Sequence, residues 1–87
     1  MSQAKKTRTV VEIYGRKYTI IGDEDIHHTR VVASMVDEKM RDIYQNNKSL
    51  DTTRLAVLTA VNAVNDYVKL TEQYNELLQK IEEKEDY

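Results

Sequence analysis

The chain has 87 residues, 32% of them charged, yet its net charge is only −2 and it contains no cysteine. That length allows one domain plus an appendage, and the charge balance argues against nucleic-acid binding through a bulk positive field, though not against a local basic patch. Without cysteine, neither a disulfide nor a thiolate metal site can staple the fold; a core this small seldom supplies more than about 3–5 kcal/mol, which leaves oligomerisation as the expected remedy.

Residues 1–6 read as a flexible polar and basic tail. No apolar run follows it, so a signal peptide and a membrane-spanning segment are not expected, and a cytoplasmic location is. The head is expected over residues 7–50. Its strand signal comes first: Val10, Val11, Ile13 and Tyr14, then Gly15-Arg16, then Lys17, Tyr18, Thr19, Ile20 and Ile21. Two β-branched and aromatic runs separated by a pair beginning with glycine predict a hairpin over 8–21 with a type II′ turn, Arg16 at its tip and Gly22 ending the second strand.

Asp23-Glu24-Asp25 supplies N-cap candidates for a helix over about 25–46. Val32, Val36, Met40 and Ile43 mark its apolar face, flanked by Val31 and Met35, while Asp37 and Arg41 form a supportive pair four apart. Gln45 to Lys48 is a polar turn. Asp51 then caps a second helix over 51–87, with Leu50 placed to staple onto Leu55. At about 1.5 Å per residue this helix is roughly 50 Å long, more than a fifty-residue head can cover. The fold class is therefore α+β: a β-hairpin and a helix form a small head, and one long C-terminal helix carries the means of dimerisation.

The long helix is apolar nearly all round from Leu55 to Val68 and then narrows. Two stripes run along it. One takes Ala63, Tyr67, Leu70, Tyr74, Leu77 and Ile81; the other takes Val57, Val61, Val64 and Val68 before turning polar at Thr71 and Asn75. The first stays apolar beyond any head and is read as the seam of a short coiled coil over about 67–84. The second fits the side covered by the hairpin and first helix. In the all-round apolar half, head, partner and second dimer meet; Val61 and Asn65 are assigned to that oligomer interface, with Asn62 and Asn65 as register-setting asparagines. The acidic run Glu82 to Asp86 opposes the helix macrodipole and favours fraying.

Little in the chain suggests catalysis. His27 and His28 are adjacent, so on a helix they point about 100° apart and cannot share a metal by themselves. Asp37, Glu38 and Asp42 read as a solvated face. No serine, histidine and acid combination suggests a nucleophile with its base, no glycine-rich loop could cradle phosphate, and a pocket is hard to build from these elements. Neither a cofactor nor a small-molecule substrate is expected. Basic residues gather at the hairpin tip (Arg16, Lys17) and around the interhelical turn (Arg41, Lys48, Arg54). Each alone reads as solubilising; together they suggest a docking surface for an acidic partner.

The run Val11-Glu12-Ile13-Tyr14-Gly15-Arg16, the apolar second strand and the later run from Leu55 to Asn62 resemble the ZapA family of bacterial cell-division proteins, in the short form of Gram-positive rods. The resemblance implies a homodimer through the long helix, often paired into a homotetramer, whose heads bind and cross-link protofilaments of FtsZ at mid-cell. It places the FtsZ-binding surface at Arg16 and near Tyr44, Lys48 and Thr53. Tyr44 and Thr53 replace the charged residues the family has there, and Arg41 and Arg54 stand within a turn as substitutes. It also marks Leu58 as an apolar support, where core packing is an equal account. The alternative from another class is a dimeric DNA-binding protein of ribbon-helix-helix build, which would use one strand per chain. A bare oligomerisation module is a third.

Overall fold

A computed structural model describes residues 6–85. The expected tail lies outside this range except for Lys6, as do the last two positions of the expected long helix. The order is β1 (Thr7–Ile13), β2 (Arg16–Gly22), α1 (Ile26–Asn46) and α2 (Thr52–Glu85), the α+β arrangement the sequence predicts. Both strands of the antiparallel sheet come from one chain, unlike the single strand that a ribbon-helix-helix protein lends to its partner.

The hairpin turn differs from the expected one. Ile13 pairs with Arg16, so Tyr14 and Gly15 are the two loop residues, and both have positive φ, 51° and 79°. That is the pattern of a type I′ turn rather than II′. Arg16 is thus the first residue of β2, not the tip. Moving the loop back by one residue shifts the cross-strand partner by two, so each side chain keeps its expected face. Thr9, Val11 and Ile13 share the inner face with Tyr18 and Ile20, while Val10, Thr19 and Ile21 face outward.

Both helices begin on aspartate caps. The Asp25 carboxylate accepts from the His28 N–H at 2.7 Å, and that of Asp51 accepts from the Arg54 N–H at 2.8 Å, each satisfying a donor the first turn leaves free. Asn47 closes α1: its N–H reaches the carbonyls of Ile43 and Tyr44, and its side chain accepts from Ser49. At the open end of the hairpin the Thr7 hydroxyl lies against the Gly22 and Glu24 carbonyls, which fixes how the chain enters α1.

The core is sparse. Val11, Ala33, Met40 and Leu55 are the buried apolar side chains among the described residues. β1 lies closer to α1 than β2 does. The line of α1 beneath it follows most of the expected face: Met40 is buried and Val36 and Ile43 are half-buried, while Val32 and the flanking Met35 stay exposed and the small Ala33, buried in addition, lets the strand come close. α2 meets α1 through Leu55 and Thr59, both buried, with Ala63 half-buried. Thr59 is tolerated there because its hydroxyl donates to the Leu55 carbonyl at 2.7 Å. The valine stripe expected to lie under the head is therefore not covered within its own chain: Val57, Val61, Val64 and Val68 remain 47–60% exposed.

Candidate functional site

Two features of this fold can engage partners: the loop end of the head and the outer faces of α2. At the loop end, Tyr14 is pinned to α1. Its N–H donates to Asp37 Oδ1 at 2.6 Å, the Arg41 guanidinium stacks 5.6 Å from its ring centroid, and Tyr44 meets the ring edge-on at 6.3 Å. Arg41 Nε donates to the other Asp37 oxygen at 2.9 Å. Asp37 thereby joins the hairpin turn to α1, with its carboxyl held below the ordinary carboxylate range first by Arg41 and then by the Tyr14 N–H. The Arg41 guanidinium is correspondingly pushed up by Asp37.

This cluster sorts the predicted docking residues. Arg16 is exposed beside the turn and, with Thr52, borders an open groove of 450 Å³. Lys48 is exposed in the turn between the helices, and Thr53 is exposed in the first turn of α2. Arg54 stands over its own cap, 3.9 Å from Asp51. Arg41 and Tyr44 act as a latch: the first is ion-paired and stacked, the second half-buried against Tyr14. The sequence reading took Asp37 for a solvated carboxylate. No local signal marks this role, because the bond from the Tyr14 N–H to Asp37 spans 23 positions.

A second clamp, absent from the sequence reading, fixes the helices. Lys39 Nζ donates to Asn62 Oδ1 at 2.7 Å and to Asp66 Oδ2 at 2.6 Å, and Lys39 holds the Asp66 carboxyl low. Asn62 therefore spends its side-chain oxygen within its own chain rather than on a helix seam. Asn65 is exposed and borders a 370 Å³ groove with Ile43, Leu58 and Val61. Beyond Asp66, α2 runs clear of the head. Tyr67, Leu70, Tyr74, Leu77 and Ile81 are 46–68% exposed along one side, a line of large apolar residues at helical spacing with no cover in this chain.

Among the described residues, no three histidine or acidic side chains are grouped as a metal site, and no helix is long and apolar enough to cross a membrane.

The model of the family described as cell division protein ZapA matches residues 9–86. The chain is 54% identical over 86 residues to a cell division protein ZapA of Geobacillus sp. (strain WCH70), covering 99% of each chain. It is 59% identical over 85 residues to that of Bacillus pumilus (strain SAFR-032), covering 98% of this chain and all of the relative. Among solved structures it resembles a ZapA mutant dimer from Geobacillus stearothermophilus, with a TM-score of 0.74, 44% identity, and 94% of this chain and 95% of the other covered. The Tyr14 turn, the basic residues around it and the uncovered rod thus occur together on a chain that matches these proteins from end to end: it belongs to the ZapA family of cell division proteins.

Proposed function

We propose that this protein binds FtsZ and cross-links its protofilaments to promote assembly of the Z-ring at mid-cell in the cytoplasm, acting without catalysis as a homodimer that pairs further into a homotetramer. The observation that carries this reading is the joining, in one small chain, of an exposed basic head end to a rod whose apolar side has no cover. A cross-linker needs at least two equivalent binding faces on a stiff spacer, and a symmetric dimer along α2 supplies both. The resemblance to a ZapA dimer supports that pairing.

The seam of the dimer is Tyr67, Leu70, Tyr74, Leu77 and Ile81; Val61 and Asn65 belong to the interfaces nearer the head. The docking face is Arg16 with Lys48 and Thr53. Arg54 stands at its border, and Arg41 holds the turn that presents it. Weak sites on one rod act together through effective concentration, so modest affinity per head suffices to bundle a polymer.

The test is charge reversal at Arg16, whose side chain has no ion-pair partner among the described residues. The Arg16→Glu variant is expected to keep the parent's sedimentation coefficient and to co-pellet several-fold less with polymerised FtsZ. Undiminished co-pelleting would remove Arg16 from the docking face.

A further inference from the structure

We propose that Asp37 is a positioning residue: by taking the Tyr14 N–H it selects the pairing register of the hairpin, and with it the place of Arg16 on the docking face. The proposal rests on the docking face proposed above for Arg16; the choice of register stands without it.

Two registers are open to this hairpin. In the observed one Tyr14 and Gly15 form the loop and Ile13 pairs with Arg16. In the other, Gly15 and Arg16 form a type II′ loop and Tyr14 pairs with Lys17. The two differ by a slip of two residues, which leaves every side chain on its face, so the division of inner from outer residues cannot choose between them. Local preference favours the register that is not adopted. A type II′ loop asks positive φ only of its first residue, which would be Gly15, whereas the observed loop also holds Tyr14 at a φ of 51°. Cross-strand pairing favours it as well. The slip would set Ile13 against Tyr18 and Val11 against Ile20, where the observed inner pairs are Ile13 with Arg16, Val11 with Tyr18 and Thr9 with Ile20.

α1 reverses that preference through one bond. The Tyr14 N–H is a loop donor in the observed register and reaches Asp37 Oδ1 at 2.6 Å. After the slip it would turn to the Lys17 carbonyl, because Tyr14 and Lys17 would then be the hydrogen-bonded pair that closes the loop. The carboxylate would lose this donor. Tyr14, in line with Val10 and Glu12 on the outer face, would also take its ring away from Arg41 and Tyr44. The other contacts that accompany the observed register lie at the surface: Glu12 opposite Lys17, and the Thr7 hydroxyl on the Glu24 carbonyl. The Asp37 bond is the charged and part-buried one. Its effect on docking is geometric. A slip of two residues moves β2 about 7 Å along β1, at about 3.4 Å per residue. That carries Arg16 from the start of a strand to the loop tip, while Lys48 and Thr53, beyond α1, stay where they are.

The absence of native cysteine allows the register to be read directly. Full-length Val10→Cys/Thr19→Cys and Val10→Cys/Ile21→Cys chains are equilibrated in a glutathione buffer, and their intrachain bridges are counted by thiol labelling and mass. Positions 10 and 19 are opposite in the observed register, with Cα atoms about 4.5 Å apart as in other non-hydrogen-bonded pairs. Positions 10 and 21 are diagonal there and too far apart to bridge, and the slip reverses this. With Asp37 in place, the bridge from 10 to 19 is expected. Adding Asp37→Ala is expected to lower that bridge several-fold and to raise the one from 10 to 21. The same pairing with and without Asp37 overturns the proposal. Should Asp37→Ala not fold, Asp37→Leu, which keeps the bulk but not the acceptor, takes its place. Without the added cysteines, Asp37→Ala is expected to sediment as the parent does and to co-pellet several-fold less with polymerised FtsZ. Because Asn-Gly favours the observed loop, adding Tyr14→Asn is expected to restore both register and co-pelleting while the carboxylate is still missing. Register restored without co-pelleting would make Asp37 a direct contact and overturn its positioning role. A slipped register with undiminished co-pelleting would sink the docking face and leave the choice of register standing.

Discussion

Tyr14 shows how much one residue's backbone settles in this head. A tyrosine with φ of 51° occupies a region that costs most L-residues roughly 1–2 kcal/mol, and the surroundings hold it there by a hydrogen bond, a stacked cation and an edge-on ring. The carboxylate in that latch titrates. Asp37 and Asp66 both have folded-state pKa values below the ordinary 3.8, so the stability they add is present above about pH 4 and is lost as pH falls through the folded values. The parent is expected to lose more thermal stability between about pH 5 and 3 than an Asp37→Asn/Asp66→Asn variant, as followed by circular dichroism. Parallel pH profiles would show that the two clamps do not contribute. Thr9 carries the opposite kind of prediction. It is 2% exposed and its hydroxyl has no hydrogen-bond partner, a state that costs about 1–3 kcal/mol. Thr9→Val keeps the shape and β-branching, and is expected to raise the denaturant midpoint by about 1 kcal/mol of stability.

At the level of elements, sequence and structure agree wherever a signal is local and fail where the answer depends on which side of an element meets another. Both helix starts were legible because a capping aspartate acts within three residues, and the strands because β-branched runs flank a glycine. The turn was misread because Tyr-Gly and Gly-Arg both offer a two-residue loop, and only the contacts of Tyr14 with α1 decide between them. The covered face of α2 was misread for a similar reason. A valine stripe is the greasier one, but Leu55 and a self-satisfied Thr59 fit more closely against α1. The Lys39 clamp joins residues 23 and 27 positions apart, and no spacing rule reaches that far. The seam belongs to this scale as well. Burying a carboxylate between paired helices is costly unless it finds a partner, so Leu77→Glu is expected to move the sedimenting species from oligomer toward monomer. A variant with unchanged mass would place the seam on another stripe.

For the whole molecule, α2 explains the long dimension of 55 Å, since its 34 residues at about 1.5 Å each span roughly 50 Å. The part of it clear of the head, 67–85, spans roughly 28 Å at about 1.5 Å per residue. The docking proposed for Arg16 and Lys48 on an acidic filament is of a kind that salt screens, with a Debye length of about 8 Å at physiological ionic strength. Bundling of FtsZ, followed by light scattering, is expected to fall as salt rises, while the apolar seam keeps the sedimentation coefficient constant. Loss of both together would mean that the oligomer, not the docking face, is salt-sensitive.

The four-residue apolar core has a consequence for how such a protein is regulated. A protomer whose buried apolar side chains, among the described residues, are Val11, Ala33, Met40 and Leu55 has little to hold it folded alone, and the stability of a dimer rises with protomer concentration by mass action. Folding and pairing are then coupled, so the proposed cross-linking follows protomer concentration, and synthesis and turnover set its extent without a separate off-switch.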